Sequence, residues 1–375
     1  MHTINFIKTK GIDRISIELS IDITKHREYY NLCHLHYNSS LSAPPDSKIV
    51  SECNGLILNL EDLSIVTLPV NRIFKLKDKS APSIDISNCR VFIRSSDDYF
   101  VFMYYYNNKW NISTCIDPQA QELVGGEMVK DIFWNIWDAM GYKLPSISDN
   151  NNSAYTFTFT VHSNRLQPFI HCDKEAIYLF GVKEAKGIEE KDPVKVAHEN
   201  GWQSLKESYD TDRNIFLNQD PRYFILKDYL RSLGNIAGLL LVDSQYTRIY
   251  VDSPLLESLI EVTSTEDKQT HELVLLQTIA DYPFENSTLN NFPITKINET
   301  YEHVLREFKQ LIIFLDEKYY PIKRLDKVQF NIEAEKIGDL SAFLYFMKRA
   351  SFPSSKQYFE LDSMFPLVIF HNFIF

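Results

Sequence analysis

The stretch Ile236-Ala237-Gly238-Leu239-Leu240-Leu241-Val242, followed by Thr247-Arg248-Ile249-Tyr250-Val251, sets the architecture of this chain. Both segments are rich in aliphatic and β-branched residues over a length typical of single strands. They predict two strands, Ile236–Val242 and Thr247–Val251. Strand patterns of the same kind precede them and helical patterns follow, so the chain changes character at about Ser253.

Upstream of this pair the sequence predicts a series of short strands. The runs rich in β-branched and aromatic residues are Arg14–Ile21, Gly55–Leu60, Ser64–Val70, Tyr99–Tyr106, Lys109–Cys115, Tyr155–Val161 and Ala176–Glu184. Asn107-Asn108 joins two of these runs and predicts a tight hairpin, because Asn tolerates a positive φ.

Helices and a loop are predicted between these strands. We expect one helix to begin with Asp117 as its N-cap and Pro118 at its first position. Its apolar face would consist of Met128, Val129, Ile132, Phe133, Ile136, Trp137 and Met140. The Asn-rich segment Ser146–Ser153 is typical of a loop, and charged stretches near 193–207 and 221–233 indicate further helices.

Downstream of Ser253 the apolar residues follow helical spacing. One stripe, ended by Pro321, is Tyr301, Val304, Leu305, Phe308, Leu311, Ile312 and Leu315. A second helix is predicted over Ile332–Ala350. The layout is therefore α+β, with an antiparallel-sheet domain in residues 1–253 and an all-helical domain in residues 254–375.

Charge and composition narrow the classes of function. The 375 residues carry a net charge of −11, which disfavours broad, sequence-independent nucleic-acid binding but leaves room for a local basic groove. The five scattered cysteines indicate reduced thiols, and no zinc-type Cys pair occurs. No secretory pattern opens the sequence, and the apolar tail 365–375 is shorter than a membrane span. We expect a cytoplasmic protein without a membrane partner, with the tail as a docked element or a surface for another protein.

Six different short segments follow one another along the chain. They are Glu52-Cys53-Asn54-Gly55, Arg72-Ile73-Phe74-Lys75-Leu76-Lys77-Asp78, Ile93-Arg94-Ser95-Ser96-Asp97-Asp98-Tyr99, Phe157-Thr158-Phe159 with Asn164-Arg165, Asn235-Ile236-Ala237-Gly238, and Arg248-Ile249-Tyr250-Val251-Asp252-Ser253. Their order and spacing resemble the RNA ligase family typified by the tRNA-repair ligase of T-even phages. The corresponding family motifs are Glu-Cys-Arg-Gly, Lys-Phe-Phe-Asn-Leu-x-Glu, Lys-x-Asp-Gly-Ser, Phe-Glu-Phe, Ile-Glu-Gly and Lys-x-Lys-Ser. The likeness spans nearly the whole chain and implies a nucleotidyltransferase-like domain of the ATP-grasp-like ligase kind.

The resemblance also implies that the reaction centre has been replaced. Where the family has Lys, Glu, Glu, Lys and Lys, this chain has Ser95, Thr158, Ala237, Tyr250 and Asp252. In the family the first Lys attacks the α-phosphorus of ATP, the Glu positions are associated with ribose and metal, and the closing lysines neutralise the triphosphate. Alanine offers Mg²⁺ no ligand atom, and an aspartate beside phosphates inverts the local field. We therefore expect a catalytically degenerate member, without catalytic residues, a cofactor or a metal.

Shifted catalytic groups are the alternative. None of Lys75, Lys77, Lys79 and Lys109 is followed at +2 and +3 by Asp-Gly. The motif pattern places no base beside the Ser95 hydroxyl. His162 and His171 lie near the presumed cleft. For each there are two interpretations: a general base, or a structural histidine whose hydrogen bonds are made within the protein.

The resulting hypothesis is a non-catalytic, RNA-ligase-like protein that binds RNA. Because its relatives act on broken anticodon loops, tRNA is the first ligand to try, and protection or immunity against an anticodon nuclease is the implied role. The predicted RNA contacts combine cations with aromatic rings: Arg72, Lys75, Lys77, Lys318, Tyr319, Tyr320, Lys323 and Arg324. The alternatives are an active ATP-dependent RNA ligase with rearranged groups, and a structural subunit that binds another protein such as a nuclease toxin.

Overall fold

The chain divides into two units, Met1–Leu230 with Ile236–Ser253, and Arg231–Asn235 with Pro254–Phe375. Its structure is a computed structural model that describes residues 1–37, 48–76, 78, 81–85, 88–147, 154–166, 170, 172, 174–185, 189–207, 230, 236–253, 256–257, 260, 295–338 and 341–349. No helix in these ranges is long and apolar enough to cross a membrane.

The first unit combines short helices with antiparallel sheets. Its described strands, in chain order, are β1 (Ile21–Lys25), β2 (Leu32–Tyr37), β3 (Asn54–Asn59), β4 (Ile65–Thr67), β5 (Phe74–Lys75), β6 (Arg90–Arg94), β7 (Tyr99–Tyr106), β8 (Lys109–Thr114), β9 (Leu123–Val124), β10 (Glu127–Met128), β11 (Tyr155–His162), β12 (Ala176–Glu184), β13 (Glu190–Lys191), β14 (Gln203–Ser204), β15 (Gly238–Val242) and β16 (Arg248–Asp252). Its described helices are α1 (His2–Lys10), α2 (Asp13–Leu19), α3 (Lys48–Glu52), α4 (Val129–Ala139) and α5 (Pro193–Asn200).

Three sheets position the residues of the family-like motifs. The first has the order β1-β2-β3-β4, the second β13-β12-β11-β7-β8, with β14 added to β12, and the third β5-β16-β15-β6. Pairing is antiparallel except between β12 and β14 and between β16 and β5. The segment Ser95–Asp98 leads from β6 in the third sheet directly into β7 in the second, so it lies where these two sheets adjoin.

The second sheet carries an aromatic core. Helix α4 buries Ile132, Phe133 and Trp137 against this sheet, as its apolar stripe predicts. The Trp137 ring packs edge-on against Phe159 at 5.4 Å and lies 5.5 Å from Trp202. This packing fixes β11, the strand that carries Thr158 and His162.

Most predicted strands are confirmed, and one is wrong. Residues 14–19 are helical, within α2, although they alternate polar and apolar residues as a strand would. The alternation leaves Ile17 70% exposed, and only Ile15 of this helix is buried. Packing of a short segment against its neighbours overrides local alternation. The helix ends at Ser20, which has φ 52°, and the strand β1 starts only at Ile21.

The predicted start of α4 is also wrong. Asp117 accepts hydrogen bonds from the backbone N–H groups of Gln119 and Gln121, but this closes a turn and no helix follows. Gly125 and Gly126 have φ values of 60° and 90°, which let the chain form the β9–β10 hairpin before α4. The helix then begins at Val129.

In the second unit the described elements are helices: α6 (Thr295–Ile322), α7 (Lys327–Glu335) and α8 (Ser341–Arg349). The sequence predicts that Pro321 ends this helix. In the structure α6 includes Pro321 and ends one residue later, at Ile322. The single helix predicted over 332–350 is wrong, because Gly338 at φ 74° falls between α7 and α8. Leu315, Phe330, Leu344 and Met347 are among the described apolar residues that are buried in this unit.

Some predictions fall on residues outside those described. They concern most of the loop at 146–153, the helix near 221–233 and the tail 365–375. A wholly helical C-terminal domain therefore stays a prediction.

Candidate functional site

The third sheet brings three of the substituted motif positions close together. Gly238 pairs with Arg94 on one side and Asp252 on the other, and Tyr250 pairs with Leu240. The backbone N–H of Ala237 donates to the Arg94 carbonyl at 2.8 Å, and Ser253 donates to the Ala237 carbonyl at 2.8 Å. Ala237, Tyr250 and Asp252 therefore lie at one end of this sheet, where β6 leads into Ser95.

Gly238 makes this close approach possible. Its φ of +144° is one that side-chain-bearing residues rarely adopt. A Cβ at this position would lie 2.1 Å from the carbonyl oxygen of Val251. The glycine of the Ile-Ala-Gly segment is thus a structural requirement of the site.

A buried ion network fills the space beside these backbones. The Arg94 guanidinium donates from Nε to Asp98 Oδ2 and from Nη1 to Asp252 Oδ1, both at 2.9 Å. The three side chains are only 5%, 2% and 4% exposed, respectively. Because both carboxylates share one planar cation, the guanidinium is held between β6 and β16 in a fixed orientation.

Tyr250 completes the network. Its hydroxyl donates to Asp98 Oδ2 at 2.5 Å, and its ring lies 3.6 Å from the Arg94 guanidinium carbon. Thr160 donates to the other oxygen, Asp98 Oδ1, at 2.8 Å. Three neighbouring side chains thus satisfy Asp98, and the aromatic face of Tyr250 covers the cation.

The protonation states follow from burial and charge. Burial raises the pKa of Asp98, but the Arg94 charge and the interactions with His162 and Tyr250 outweigh it and hold that pKa well below its usual value. For Arg94 burial lowers the pKa, but Asp98, Tyr250 and Asp252 raise it further than burial lowers it. Burial, followed by the Asp98 charge, raises the pKa of Tyr250. In this network the Arg94 guanidinium and the Asp98 carboxylate are therefore ionised, and the Tyr250 phenol is neutral.

Lys75 extends the network to the edge of the sheet. Its Nζ lies 2.8 Å from Asp252 Oδ2, while the lysine side chain itself stays 52% exposed. Two cations, Arg94 and Lys75, thus face two carboxylates, Asp98 and Asp252. The local charge is balanced, whereas a triphosphate would require an excess of positive charge.

Thr158, the position of the family's first Glu, lies apart from this network. Thr156, Thr158, Thr160 and His162 alternate along β11, so they share one face of the second sheet. Thr158 Oγ1 accepts a hydrogen bond from the backbone N–H of Val70 at 3.4 Å, and the residue is fully buried. Its hydroxyl supports the chain before β5, whereas Thr160 is the threonine of this face that donates to Asp98.

The Ser95 hydroxyl has a base beside it, which corrects the expectation from the motif pattern. Its Oγ lies 3.3 Å from Nδ1 of His162. The motif spacing does not reveal this contact, because it depends on where β11 ends relative to the Ser95–Asp98 connection. His171, the other histidine considered, lies outside the described residues.

The predicted RNA contacts are divided between the two units. In the first, Arg72 lies over the rings of Tyr37 and Phe74, at 5.1 and 5.3 Å, and Lys75 pairs with Asp252. Lys77 is outside the described residues. Both described cations thus already contact protein groups.

In the second unit, one predicted stacking residue is wrong. Tyr319 is only 2% exposed and packs against Phe330, so its ring is not accessible to a base. Tyr320 is 50% exposed, with the Lys323 amine 4.0 Å from its ring centroid. We define the basic cluster as Lys318, Tyr320, Lys323, Arg324 and Lys327, around the end of α6 and the start of α7.

Arg94 and Asp98 are the residues of this site to which the motif pattern assigned no role. The sequence feature that could have indicated the network is the four-residue spacing of Arg94 and Asp98, together with an acidic residue, Asp252, in the last motif segment. Among the described residues, no group of three or more His, Cys, Asp or Glu side chains is arranged to hold a metal ion.

Comparison with known proteins gives distant structural likenesses. No family model matches the chain, and no curated protein matches it. An archaeal ATP-dependent RNA ligase, form 1, is 11% identical with a TM-score of 0.42, covering 90% of this chain and 77% of that one. Form 2 is 12% identical with a TM-score of 0.42, covering 94% and 82%. An RNA ligase of Naegleria gruberi with ATP and Mn is 11% identical with a TM-score of 0.31, covering 46% and 51%. At these identities and TM-scores nothing about the chemistry of this chain follows from the likenesses.

Proposed function

We propose that this chain is an RNA-ligase-like protein that binds RNA and does not form an adenylate. The order and spacing of its motif segments support the ligase relationship. The main support for the proposed inability to form an adenylate is the Arg94–Asp98–Asp252 network. In place of a nucleophilic lysine with phosphate-binding cations, the site holds a charge-balanced, internally satisfied set of side chains.

The charge of this site opposes ATP binding. Asp252 stands where the family has a closing lysine, and its carboxylate is committed to Arg94 and Lys75. A triphosphate would have to compete with these carboxylates for both cations, and no carboxylate remains at Ala237 for Mg²⁺. The same arrangement disfavours the alternative of an active ligase with rearranged groups.

The basic cluster of the second unit supports RNA as the partner. It combines three exposed cations, Lys318, Arg324 and Lys327, with a half-exposed ring at Tyr320. Cations that track phosphates beside a ring that stacks on an unpaired base are the usual elements of single-stranded RNA recognition. Within this proposal tRNA is the first ligand to test, and shielding an anticodon loop from a nuclease is the role that follows.

The absence of adenylation is tested with α-labelled ATP. The purified chain is incubated with the nucleotide and Mg²⁺ or Mn²⁺, beside an active RNA ligase as the positive control, and the protein is analysed for bound label. We expect no transfer to this chain. A covalent AMP adduct on any side chain would overturn the proposal and favour the active-enzyme alternative.

RNA binding is tested by gel shift with intact and nicked tRNA. The variant K318E/R324E/K327E reverses three cations of the basic cluster, and K8E/R14E/K25E makes the same charge change on exposed residues of the first unit. We expect the first variant to lose at least about tenfold in affinity and the second to bind as the wild type does. Equal losses in both variants would indicate net charge alone. The absence of wild-type binding would leave the structural-subunit hypothesis.

A further inference from the structure

Ser95, His162 and Asp98 lie next to one another where β11 ends beside the connection from β6 to β7. Ser95 Oγ is 3.3 Å from His162 Nδ1, and His162 Nε2 is 3.8 Å from Asp98 Oδ1. Ser95 is exposed, whereas the side chains of His162 and Asp98 are only 3% and 2% exposed. A hydroxyl open to solvent is thus backed by a buried imidazole and a buried carboxylate.

The neighbours of these groups fix their roles. Asp98 is held as a carboxylate by Arg94, Tyr250 and Thr160. Because Asp98 Oδ1 faces Nε2, the tautomer with its proton on Nε2 leaves Nδ1 free to accept from Ser95. The His162 ring also lies 4.9 Å from the Tyr178 ring, which limits its rotation. The Nε2–Oδ1 distance is longer than a hydrogen bond, as is common in sites that tighten when substrate binds.

We propose that Ser95 is a nucleophile activated by His162 and Asp98, and that it reacts with uncharged carboxylic esters. This activity goes beyond the proposed function and needs neither ATP nor RNA. A serine beside a base that faces an acid is the combination used in nucleophilic acyl transfer, here with Ser95 on Nδ1 and Asp98 facing Nε2 of His162.

The reaction proceeds in two balanced steps. Ser95 Oγ attacks the ester carbonyl carbon while its proton passes to His162 Nδ1, and Asp98 stabilises the resulting imidazolium. The bond to the leaving alcohol then breaks, the alcohol takes the proton from His162, and Ser95 holds the acyl group. Water attacks this acyl-serine, again giving its proton to His162, which returns it to Ser95 Oγ as the carboxylic acid leaves.

Charge favours an uncharged substrate over a phosphate. The two cations of the buried network, Arg94 and Lys75, are already paired with Asp98 and Asp252. A phosphate dianion approaching Ser95 would meet no excess positive charge, and a neutral acyl group has no need of it.

A fluorophosphonate probe tests the site, because such an uncharged electrophile labels activated serines. The wild-type chain is treated with the probe, the mass increase is measured, and the labelled residue is identified by peptide mapping. Hydrolysis of p-nitrophenyl acetate is followed in parallel. We expect a single label on Ser95, none in S95A, and a labelling rate reduced about 100-fold in H162Q. The control S64A, which removes another exposed serine, should behave as the wild type does.

The outcomes separate this proposal from the previous one. A wild-type chain without label, a label on another residue, or equal labelling in H162Q and wild type would overturn it. Circular dichroism of S95A checks that the loss of label is not a loss of fold; because Ser95 is exposed, folding should be unaffected. If H162Q does not fold, the comparison of wild type with S95A still decides. Neither result bears on the labelled-ATP or RNA-binding experiments, which use different reagents and different readouts.

Discussion

Arg94 is the residue on which the chemistry of the site depends. A lone buried guanidinium would be strongly destabilising, but Arg94 divides its donors between Asp98 and Asp252 and lies against the ring of Tyr250. The Arg94 guanidinium is therefore committed to protein groups and is not available to a ligand.

Removing this cation should be strongly destabilising. The variant R94M leaves Asp98 and Asp252 buried without their counter-charge, so we expect the free energy of unfolding to fall by about 3–5 kcal/mol. Arg90 offers a matched control, because its side chain is 30% exposed and pairs with half-exposed Asp192 and Glu207. R90M should lose no more than about 1 kcal/mol. Urea unfolding measures both, and equal losses would contradict a special role for Arg94.

His34 makes the first sheet sensitive to acid. Its ring is fully buried, with Nε2 3.1 Å from the Thr114 carbonyl, and burial lowers its pKa to about 4. The nearby charges of His26 and His36 lower it further, and that of Asp117 raises it. Because the unfolded chain takes up this proton near pH 6.5 and the folded chain does not, stability is complete above that pH and falls as the pH decreases toward 4.

The variant H34Q tests this acid sensitivity. Between pH 7 and pH 5 the wild type should lose about 2 kcal/mol from His34 alone. Glutamine keeps a donor for the Thr114 carbonyl without titrating, so H34Q should lose correspondingly less over the same interval. Urea titrations of both proteins at the two pH values measure the difference. Parallel losses would mean that other groups, such as His26 and His36, account for the whole effect.

The turn of the β7–β8 hairpin is predictable from the sequence, and a substitution in it should raise the stability of the protein. Asn107 and Asn108 have φ values of 50° and 59°, as the sequence predicts for a two-residue turn. Asn111 supports it by donating to the carbonyls of Tyr106 and Lys109. Replacing Asn108 with Gly removes the steric penalty of positive φ, and we expect the free energy of unfolding to rise by about 0.5 kcal/mol. The matched N108A should lower it by about 1 kcal/mol, and a thermal midpoint for N108A equal to the wild type would refute this explanation.

The elements that sequence predicted well are those whose own residues determine them. The strands β7, β11 and β12 carry long β-branched and aromatic runs, and α4 has a complete apolar stripe. The failures have identifiable causes. Period-two alternation over residues 14–21 was too short to outweigh packing. The pair Gly125-Gly126 delays the start of α4, and Gly338 lies between α7 and α8, because glycine readily adopts a positive φ.

In the candidate site, too, the sequence motifs predict the positions of residues, whereas the contacts between residues far apart in the chain were not predicted. The motif segments gave the positions Ser95, Ala237, Tyr250 and Asp252, and the register of the third sheet relates them. What these residues do was not readable from spacing. The pairing of Arg94 with Asp98 and Asp252 and the placement of His162 beside Ser95 depend on how two sheets adjoin, which no single segment encodes.

The charge of the entire chain limits how it can hold RNA. A net charge of −11 repels a polyanion at long range, so binding has to rest on a small local set of cations. The basic cluster supplies four of them, Lys318, Lys323, Arg324 and Lys327. For single-stranded RNA, four phosphate contacts correspond to a slope of about −3 in a plot of log K against log salt.

The salt dependence of binding is therefore a test of where RNA lies. We expect the wild type to give a slope of about −3 and K318E/R324E/K327E to give about −1, because three phosphate contacts are lost. The control K8E/R14E/K25E has the same total charge and should keep the wild-type slope. Fluorescence anisotropy with a labelled anticodon-loop oligonucleotide between 50 and 200 mM salt measures all three. A slope that is much steeper than −3, or one that the basic-cluster variant leaves unchanged, would place the phosphate contacts on a different surface.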